Sequence, residues 1–456
     1  MRAAAQEAKV PDHGWAGGLH HDETKIQQDL VLIMMGGKPS LTGWIDVGEE
    51  AGNLRMLKEG CVKQTLASEV IQLTFMGYTG FRFPLCHYPT GGVKASELHI
   101  IIWDAIAKLA DWGFTVDFIN QDGGEENRQF VKSHFDGDPV KASYASPNLA
   151  DQTRSVVHTQ DFSHNIKKLR NAILSSGEIK GKHTRKLICN DKPIVWQHWI
   201  DAVEWDRNVN SRPIYHKVTD THLHPSGSEK MRNHLAEQML NDEMFHLMQC
   251  FQNSLEDKNA SQLTSTIELL EHSSKLISIF RSKKPIISIS DDRFHILSQA
   301  LRWFQMWRNN VRSNTTLTNG EMSRMLPSTA CLDDMICMLV TFPKVCQIHL
   351  SEYKTGSVSP SRFNNDIAEN MFCQQRGLHN GNATNPNYAT YRTTVNSVLL
   401  GQSLLSRGRK SNAGLKAAKP YNHYVTGPVC KRAKKTICKP AKKSKSKHCK
   451  TRKIRL

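Results

Sequence analysis

Apolar and polar positions change period several times along the chain, and each change marks an element. From residue 19 to residue 47 short apolar runs alternate with turn residues. LHHDETKI is followed by DLVLIM, then by Gly36-Gly37-Lys38-Pro39, then by LTGWIDVG. These read as short strands separated by turns. VIQLTFMGY and FRFPLCHY are two further strand candidates, the second closed by Pro89-Thr90-Gly91-Gly92. Across residues 96–112 the period lengthens. Leu98, Ile101, Ile102, Ala105, Ile106, Leu109 and Trp112 recur at helical steps and predict an amphipathic helix that Gly113 stops. FTVDFIN returns to strand alternation and delivers an acid into Gln121-Asp122-Gly123-Gly124. Residues 228–340 predict an all-helical block, and residues 366–376 one more short helix. After residue 405 Gly, Ala, Lys and Ser dominate, which predicts disorder. No internal repeat is present.

A length of 456 residues suits two or three domains and a core that needs no disulfide staples. With 39% hydrophobic and 23% charged residues, most of the chain reads as globular. No apolar run is long enough for a transmembrane span, and the first fifteen residues lack a secretory apolar core. The eleven cysteines have no regular spacing and read as reduced intracellular thiols. The formal charge of +17 is concentrated: residues 406–456 carry 18 Lys and Arg and no acid, so the remainder is close to neutral. A block of one sign is an arm for nucleic acid or a nuclear-import signal, with a solvating tail as the plainer alternative. Lys431, Arg432, Lys434 and Lys435 are its densest part.

The acids suggest chemistry. Asp22 and Glu23 fall in the first strand, Asp122 at the end of a later one, and Asp366 and Glu369 three apart on the last short helix. Such a set could hold two divalent cations through hard carboxylate oxygens and support phosphoryl transfer. Each piece has a plainer reading beside it. Asp366-Ile-Ala-Glu369 is also a capping box, Asp122-Gly123 a common turn, and Asp22-Glu23 an exposed strand edge. His20 with His21, and Cys430, Cys438 and Cys449 with His448, are weak zinc candidates. His222 and His224 read as a loop leading into the helices. Trp303 and Trp307 read as core, with base stacking as the sharper alternative.

Six blocks, in order from about residue 15 to about residue 405, resemble the P-element transposase family, including its THAP-type relatives. They are HDETKIQQDLVL…LTGWIDVGEE, FRFPLCHY, GFTVDFINQDGGEENRQFV, FSHNIKKLRNAI, HLHPSGSEKMRNHLAEQML and NNDIAENMFCQQRG. The family's N-terminal zinc finger has no counterpart in these blocks. The resemblance implies an α/β fold: an RNase H-like mixed sheet with flanking helices, interrupted by an all-helical insertion. It implies a core over 15–215, an insertion over 216–345, last core helices over 346–405 and a basic tail over 406–456.

By the same resemblance Asp22, Asp122 and Glu369 are the metal-binding acids, with Asp366 as a further partner or cap. Two Mg2+ ions, for which Mn2+ can substitute, would serve DNA strand cleavage and strand transfer. Lys167 and Arg170, in the His164-x-x-Lys-x-x-Arg-Asn171 block, would meet nucleic acid together with the tail. The resemblance also implies a nuclear protein, no membrane partner and a homo-oligomer. The family binds GTP in the insertion, but Ser278 and Arg281 stand where Asp and Asn are expected, and neither mimics a carboxylate. GTP use is therefore left open. A domesticated, inactive DNA-associated protein and an RNase H-like nuclease of another substrate are the alternatives.

Overall fold

A computed structural model describes residues 1–60, 64–137, 139–177, 184–378 and 385–405. The short helix α1 (Arg2–Glu7) leads into β1 (Ala16–Lys25), the hairpin β2 (Val31–Met35) and β3 (Lys38–Thr42), and α2 (Glu49–Glu59). Next come β4 (Glu69–Gly77), β5 (Arg82–Thr90), α3 (Ala95–Asp111), β6 (Thr115–Gln121) and α4 (Glu125–Lys132). They are followed by β7 (Ala145–Asn148), β8 (Asp151–Gln160), α5 (Phe162–Leu174) and the small hairpin β9 (Leu187–Cys189) and β10 (Lys192–Ile194). Helices then take over: α6 (Gln197–Val209), α7 (Asp220–Leu223), α8 (Asn233–Gln238), α9 (Asp242–Asn253), α10 (Asp257–Ala260), α11 (Thr264–Arg281), α12 (Asp292–Arg312), α13 (Asn319–Met325) and α14 (Thr329–Glu352). The last helices are α15 (Asp366–Leu378) and α16 (Tyr388–Leu405). The basic tail lies outside the described residues, and with it Lys431, Arg432, Lys434, Lys435, His448 and the three tail cysteines.

The strands form one six-stranded mixed sheet in the order β5-β4-β1-β6-β8-β7. The β1–β6 and β6–β8 pairs are parallel, and the other pairs are antiparallel. Strand alternation divides the side chains between two faces. Leu19, Ile71, Leu73, Phe75, Ile119 and Val156 pack with the apolar stripe of α3, which is the helix the sequence predicts. Ala16, Phe118 and Val157 face the opposite way, into a core shared with α5 and the helical block. On that second face β4 turns inward Gln72, which receives Tyr391 Oη (3.1 Å), and Thr74, which reaches Met371 Sδ (3.7 Å). Polar strand positions thus receive the last two helices.

Three expectations change. The helical block runs from Gln197 to Glu352, wider than 228–340 at both ends. The turn before β3 is only Gly36-Gly37, both at positive φ as a tight hairpin turn requires, so Lys38 and Pro39 already belong to the strand. His222 is not part of an open loop: it is buried, capped against Thr219 and Gln238. Trp303 and Trp307 are core residues, and Trp307 Nε1 donates to Ile188 O (2.6 Å). Among the described residues no single helix is long and apolar enough to cross a membrane. The β2–β3 hairpin leaves Leu32, Met34 and Leu41 exposed.

His349 of α14 is fully buried, stacked on Tyr78 at 3.7 Å between ring centroids, and neither ring nitrogen has a hydrogen-bond partner. Burial, with His13 nearby, lowers its pKa from 6.5 to about 4, against the pull of Glu352. The neutral ring therefore supports the fold fully above the unfolded pKa, and that support is lost as pH falls from there towards the folded value. Replacing it by His349→Leu removes this dependence. Denaturation curves at about pH 7 and about pH 5 should show the variant gaining on the parent by up to about 2 kcal/mol. An unchanged difference between the two pH values would contradict the assignment.

Candidate active site

The parallel pairing of β1 with β6 sets the site. His20 lies opposite Asn120 in the register. Two residues further on come Asp22, still within β1, and Asp122, the first residue after β6. This region, at the carboxyl ends of the parallel strands, is covered by the starts of α5 and α15. In open α/β sheets this is where ligands gather.

Each acid has a different environment. Asp22 is half-buried, and its Oδ1 accepts from the Glu23 N–H (2.8 Å). Burial, helped by the charges of Asp122 and Glu369 and opposed by His164, pushes its pKa up to about 8. Asp122 is held below the usual carboxylate range. Burial alone would raise it, but His164, the Gly124 N–H (2.9 Å), Asn127 Nδ2 (2.6 Å) and Lys168 outweigh that. Glu369, one turn into α15, keeps 34% of its side chain exposed, and burial raises its pKa against the attraction of His164. The three acids therefore share one electrostatic neighbourhood. They do not close into a ligand set: among the described residues no three His, Cys, Asp or Glu side chains stand close enough to hold an ion. The donor chemistry, three carboxylates on a polar face, fits a hard divalent cation.

Residues that the sequence reading did not assign to the site hold the acids in place. Asp161, buried at the start of α5, accepts from the His164 N–H (2.9 Å), from His164 Nδ1 (2.6 Å) and from the Asn365 N–H (2.8 Å). Burial works against it, but these bonds hold its pKa down at about 2. Burial would likewise lower the pKa of His164, yet Asp161 keeps it up at about 9, so the ring is cationic. Its Nε2 stands 3.9 Å from Glu369 Oε1. Asn365 Oδ1 accepts from Asn120 Nδ2 (3.2 Å) and lies 3.1 Å from His20 Nδ1, while Asn365 Nδ2 donates to His21 O (3.3 Å). His21 Nε2 meets Gln121 Oε1 at 3.1 Å. Both histidines are buried and held below their usual pKa by burial, so they serve this network. The local signals for it are weak: Asp161 at a helix N-cap position and the Asn364-Asn365 pair before the last helix.

The turn after Asp122 is clamped from the helices. Lys168 Nζ donates to Gly123 O (3.1 Å) and to Asp334 Oδ2 of α14 (2.9 Å). Arg128 joins the same carbonyl and lies 3.4 Å from Asp334 Oδ2. A Cβ at residue 123 would collide with Asp334 Oδ2 and Lys168 Nζ, so the clamp needs glycine there.

Other expected residues are placed elsewhere. Asp366 does not cap its helix. Its carboxylate takes Arg281 Nη1 (2.8 Å) and Ser163 Oγ (3.1 Å), while Asn364 Oδ1 receives its N–H (3.2 Å). Arg170 is fully buried. Its Nε donates to Asn171 Oδ1 (2.8 Å) and its Nη2 to Lys230 O (3.0 Å), and burial lowers its pKa to about 10. It is a structural anchor and not a surface for phosphate. Lys167 is also buried, but it stays within electrostatic reach of His164 and Glu369.

A mixed sheet with these flanking helices and a helical block before the last acidic helix defines an RNase H-like fold. Residues 4–134 match the model of the TNP-like, RNase H N-terminal domain family. No curated protein matches the sequence. Among solved structures the chain is similar to the Drosophila P element transposase strand transfer complex. Identity is 16%, coverage 88% of this chain and 81% of that chain, and the TM-score is 0.66. Residues 4–134 are thus similar to the TNP-like RNase H N-terminal domain, and over most of its length the chain shares its fold with that transposase structure.

The raised pKa of Asp22 has a consequence for stability. Its folded value, about 8, lies above its ordinary 3.8, so stability carried by the protonated form is lost as pH rises between them. Asp22→Asn should therefore gain thermal stability over the parent as pH rises through that window. Millimolar Mn2+ should shrink the gain by stabilising the parent alone. Parallel melting curves with and without the ion check both parts.

Proposed function

We propose that the chain is a DNA transposase of the P-element type, acting by phosphoryl transfer at Asp22, Asp122 and Glu369. The observation that supports this best is that Asp22 on β1 feels the charges of both Asp122, after β6, and Glu369, on α15. Bound divalent cations, Mg2+ with Mn2+ as substitute, would neutralise the phosphate and activate the attacking oxygen. The protein's own part is positioning. Asp22 presents its oxygens from β1 and Asp122 from the turn that leaves β6. His164, fixed by Asp161, orients Glu369 from the side. Lys167 adds positive charge for a phosphate beside Glu369, a role in which Arg170 has no part.

DNA is the proposed partner, at transposon ends and at the target, with a homo-oligomer as the working assembly and the nucleus as the site of action. The tail, with Lys431, Arg432, Lys434 and Lys435, would add sequence-independent phosphate binding and import. Asp366 is not included among the ligands, because Arg281 and Ser163 occupy its oxygens. GTP is left out for the same reason: the Arg281 guanidinium is engaged within the chain. The open spacing of the three acids favours a second reading, a domesticated DNA-associated protein that no longer cuts.

Purified protein with Mg2+ or Mn2+ should nick duplex DNA carrying matched terminal repeats and join the new 3′ end to target DNA. Asp122→Asn should lower this by at least about a thousandfold, as loss of a group acting in the transition state does. No cleavage with either metal selects the inactive reading, and preference for RNA–DNA hybrids selects a different nuclease. Deleting residues 406–456 should weaken non-specific DNA binding and flatten the slope of log affinity against log salt, by about 0.9 for each phosphate the tail neutralises. An unchanged slope would remove the tail from DNA binding.

A further inference from the structure

The end of α11 lies against the start of α15, and a single guanidinium fills the junction. Arg281, the last residue of α11, donates through Nε to both oxygens of Glu237 on α8 (3.1 and 3.0 Å), and its Nη2 also meets that carboxylate. Nη1 donates to Asp366 Oδ2 (2.8 Å) and Nη2 to Ser163 Oγ on α5 (2.9 Å). Ser163 Oγ in turn donates to Asp366 Oδ1 (3.1 Å). The guanidinium also lies 5.7 Å from the Phe162 ring centroid. All three charged side chains are largely buried, between 12% and 17% exposed, so solvent screens little of their interaction.

We infer that Arg281 is a positioning residue through which the helical block holds α15, and with it Glu369, at the candidate active site. The inference rests on the reading of Asp22, Asp122 and Glu369 as cation ligands. Two carboxylates share the one cation. Without it Glu237 and Asp366 repel each other, and Asp366 opens the first turn of α15, which carries Glu369 three residues later. The fork geometry matters, since only a planar guanidinium serves two carboxylates and a hydroxyl together. A lysine keeps the charge but cannot span all three.

The test uses full-length protein and Mn2+ alone as the probe. Arg281→Met should raise the Mn2+ dissociation constant by about 10- to 100-fold, the usual effect of losing a partner that orients a metal ligand. It should also speed amide exchange in residues 366–378. Arg281→Lys should fall between the two. Adding Glu237→Gln to Arg281→Met should recover part of both effects by removing the repulsion. Arg308→Met breaks the Arg308–Asp333 pair inside the helical block (3.2 Å) and should change neither. Should Arg281→Met fail to fold, Asp366→Asn breaks the same link from the other side without leaving two facing carboxylates, and should give both effects in weaker form. Mn2+ binding and α15 exchange that match the parent in these variants would overturn the inference. If the parent binds no Mn2+ that Asp122→Asn removes, the ligand reading fails instead, and faster α15 exchange alone would then uphold the link.

Discussion

Gathering carboxylates at one end of a sheet sets charges of one sign against each other where water is partly excluded. Two unit charges 4 Å apart repel by about 4 kcal/mol at the effective dielectric usual near a protein surface. The chain meets this with a small number of cations, each used more than once. His164 is fixed by Asp161 and faces Glu369. Lys168 and Arg128 share the Gly123 carbonyl and the buried Asp334. Arg281 serves Glu237, Asp366 and Ser163. For Asp22 burial, with the charges of Asp122 and Glu369, outweighs the pull of His164, and its pKa rises.

The backbone decides where this happens. Parallel pairing of β1 with β6 brings the carboxyl end of β6 beside β1, so that Asp22, within β1, and Asp122, just after β6, come within electrostatic reach of each other. The chain around these acids must then satisfy its polar groups there. Asn365, His20, His21, Asn120 and Gln121 do so with one another, which ties the segment before α15 to β1 and β6. The network is therefore a folding requirement and a site scaffold at once. Its residues are buried and bonded to one another, while His20 Nε2 and Asn120 Oδ1 have no partner.

What the sequence makes legible follows from range. The first long helix, β4 and the strand leading to Asp122 carry strong local periods, and their positions agree with the structure. β7 and β8 escape such a reading because DQTRSVVHTQ is polar in its first half, where the strand is exposed, and only its second half is buried. The helical block reads as narrower than it is because α6 carries three tryptophan or histidine residues in place of aliphatic ones. Among site residues, Asp22, Asp122 and Glu369 stand out only through the resemblance of the blocks around them, since each alone reads as a strand edge, a turn or a helix cap. Asp161 does not stand out, since an N-cap aspartate looks the same whether or not a histidine beyond it faces another acid. Arg170 and Asp366 go the other way. Their charge suggests exposure, whereas partners 60 and 85 residues away in the chain hold them inside.

The junction at Arg281 shows why such distant partners matter for chemistry as well as stability. Ser278 is exposed while Arg281, one turn on, is directed at Glu237 and Asp366, so the two do not present a joint polar edge to a ligand. The place where the resemblance expects a nucleotide reader instead carries a bond internal to the chain. Contact between the helical block and α15 is then made by the protein's own charges, and it persists without any ligand. A further contact runs from α14 through Asp334 to the turn after Asp122. The helical block thus touches the carriers of two of the three acids from two separate helices, α11 and α14. A displacement of that block would be felt at Asp122 and Glu369 together, which is a physical reason for it to interrupt the core at this point of the chain.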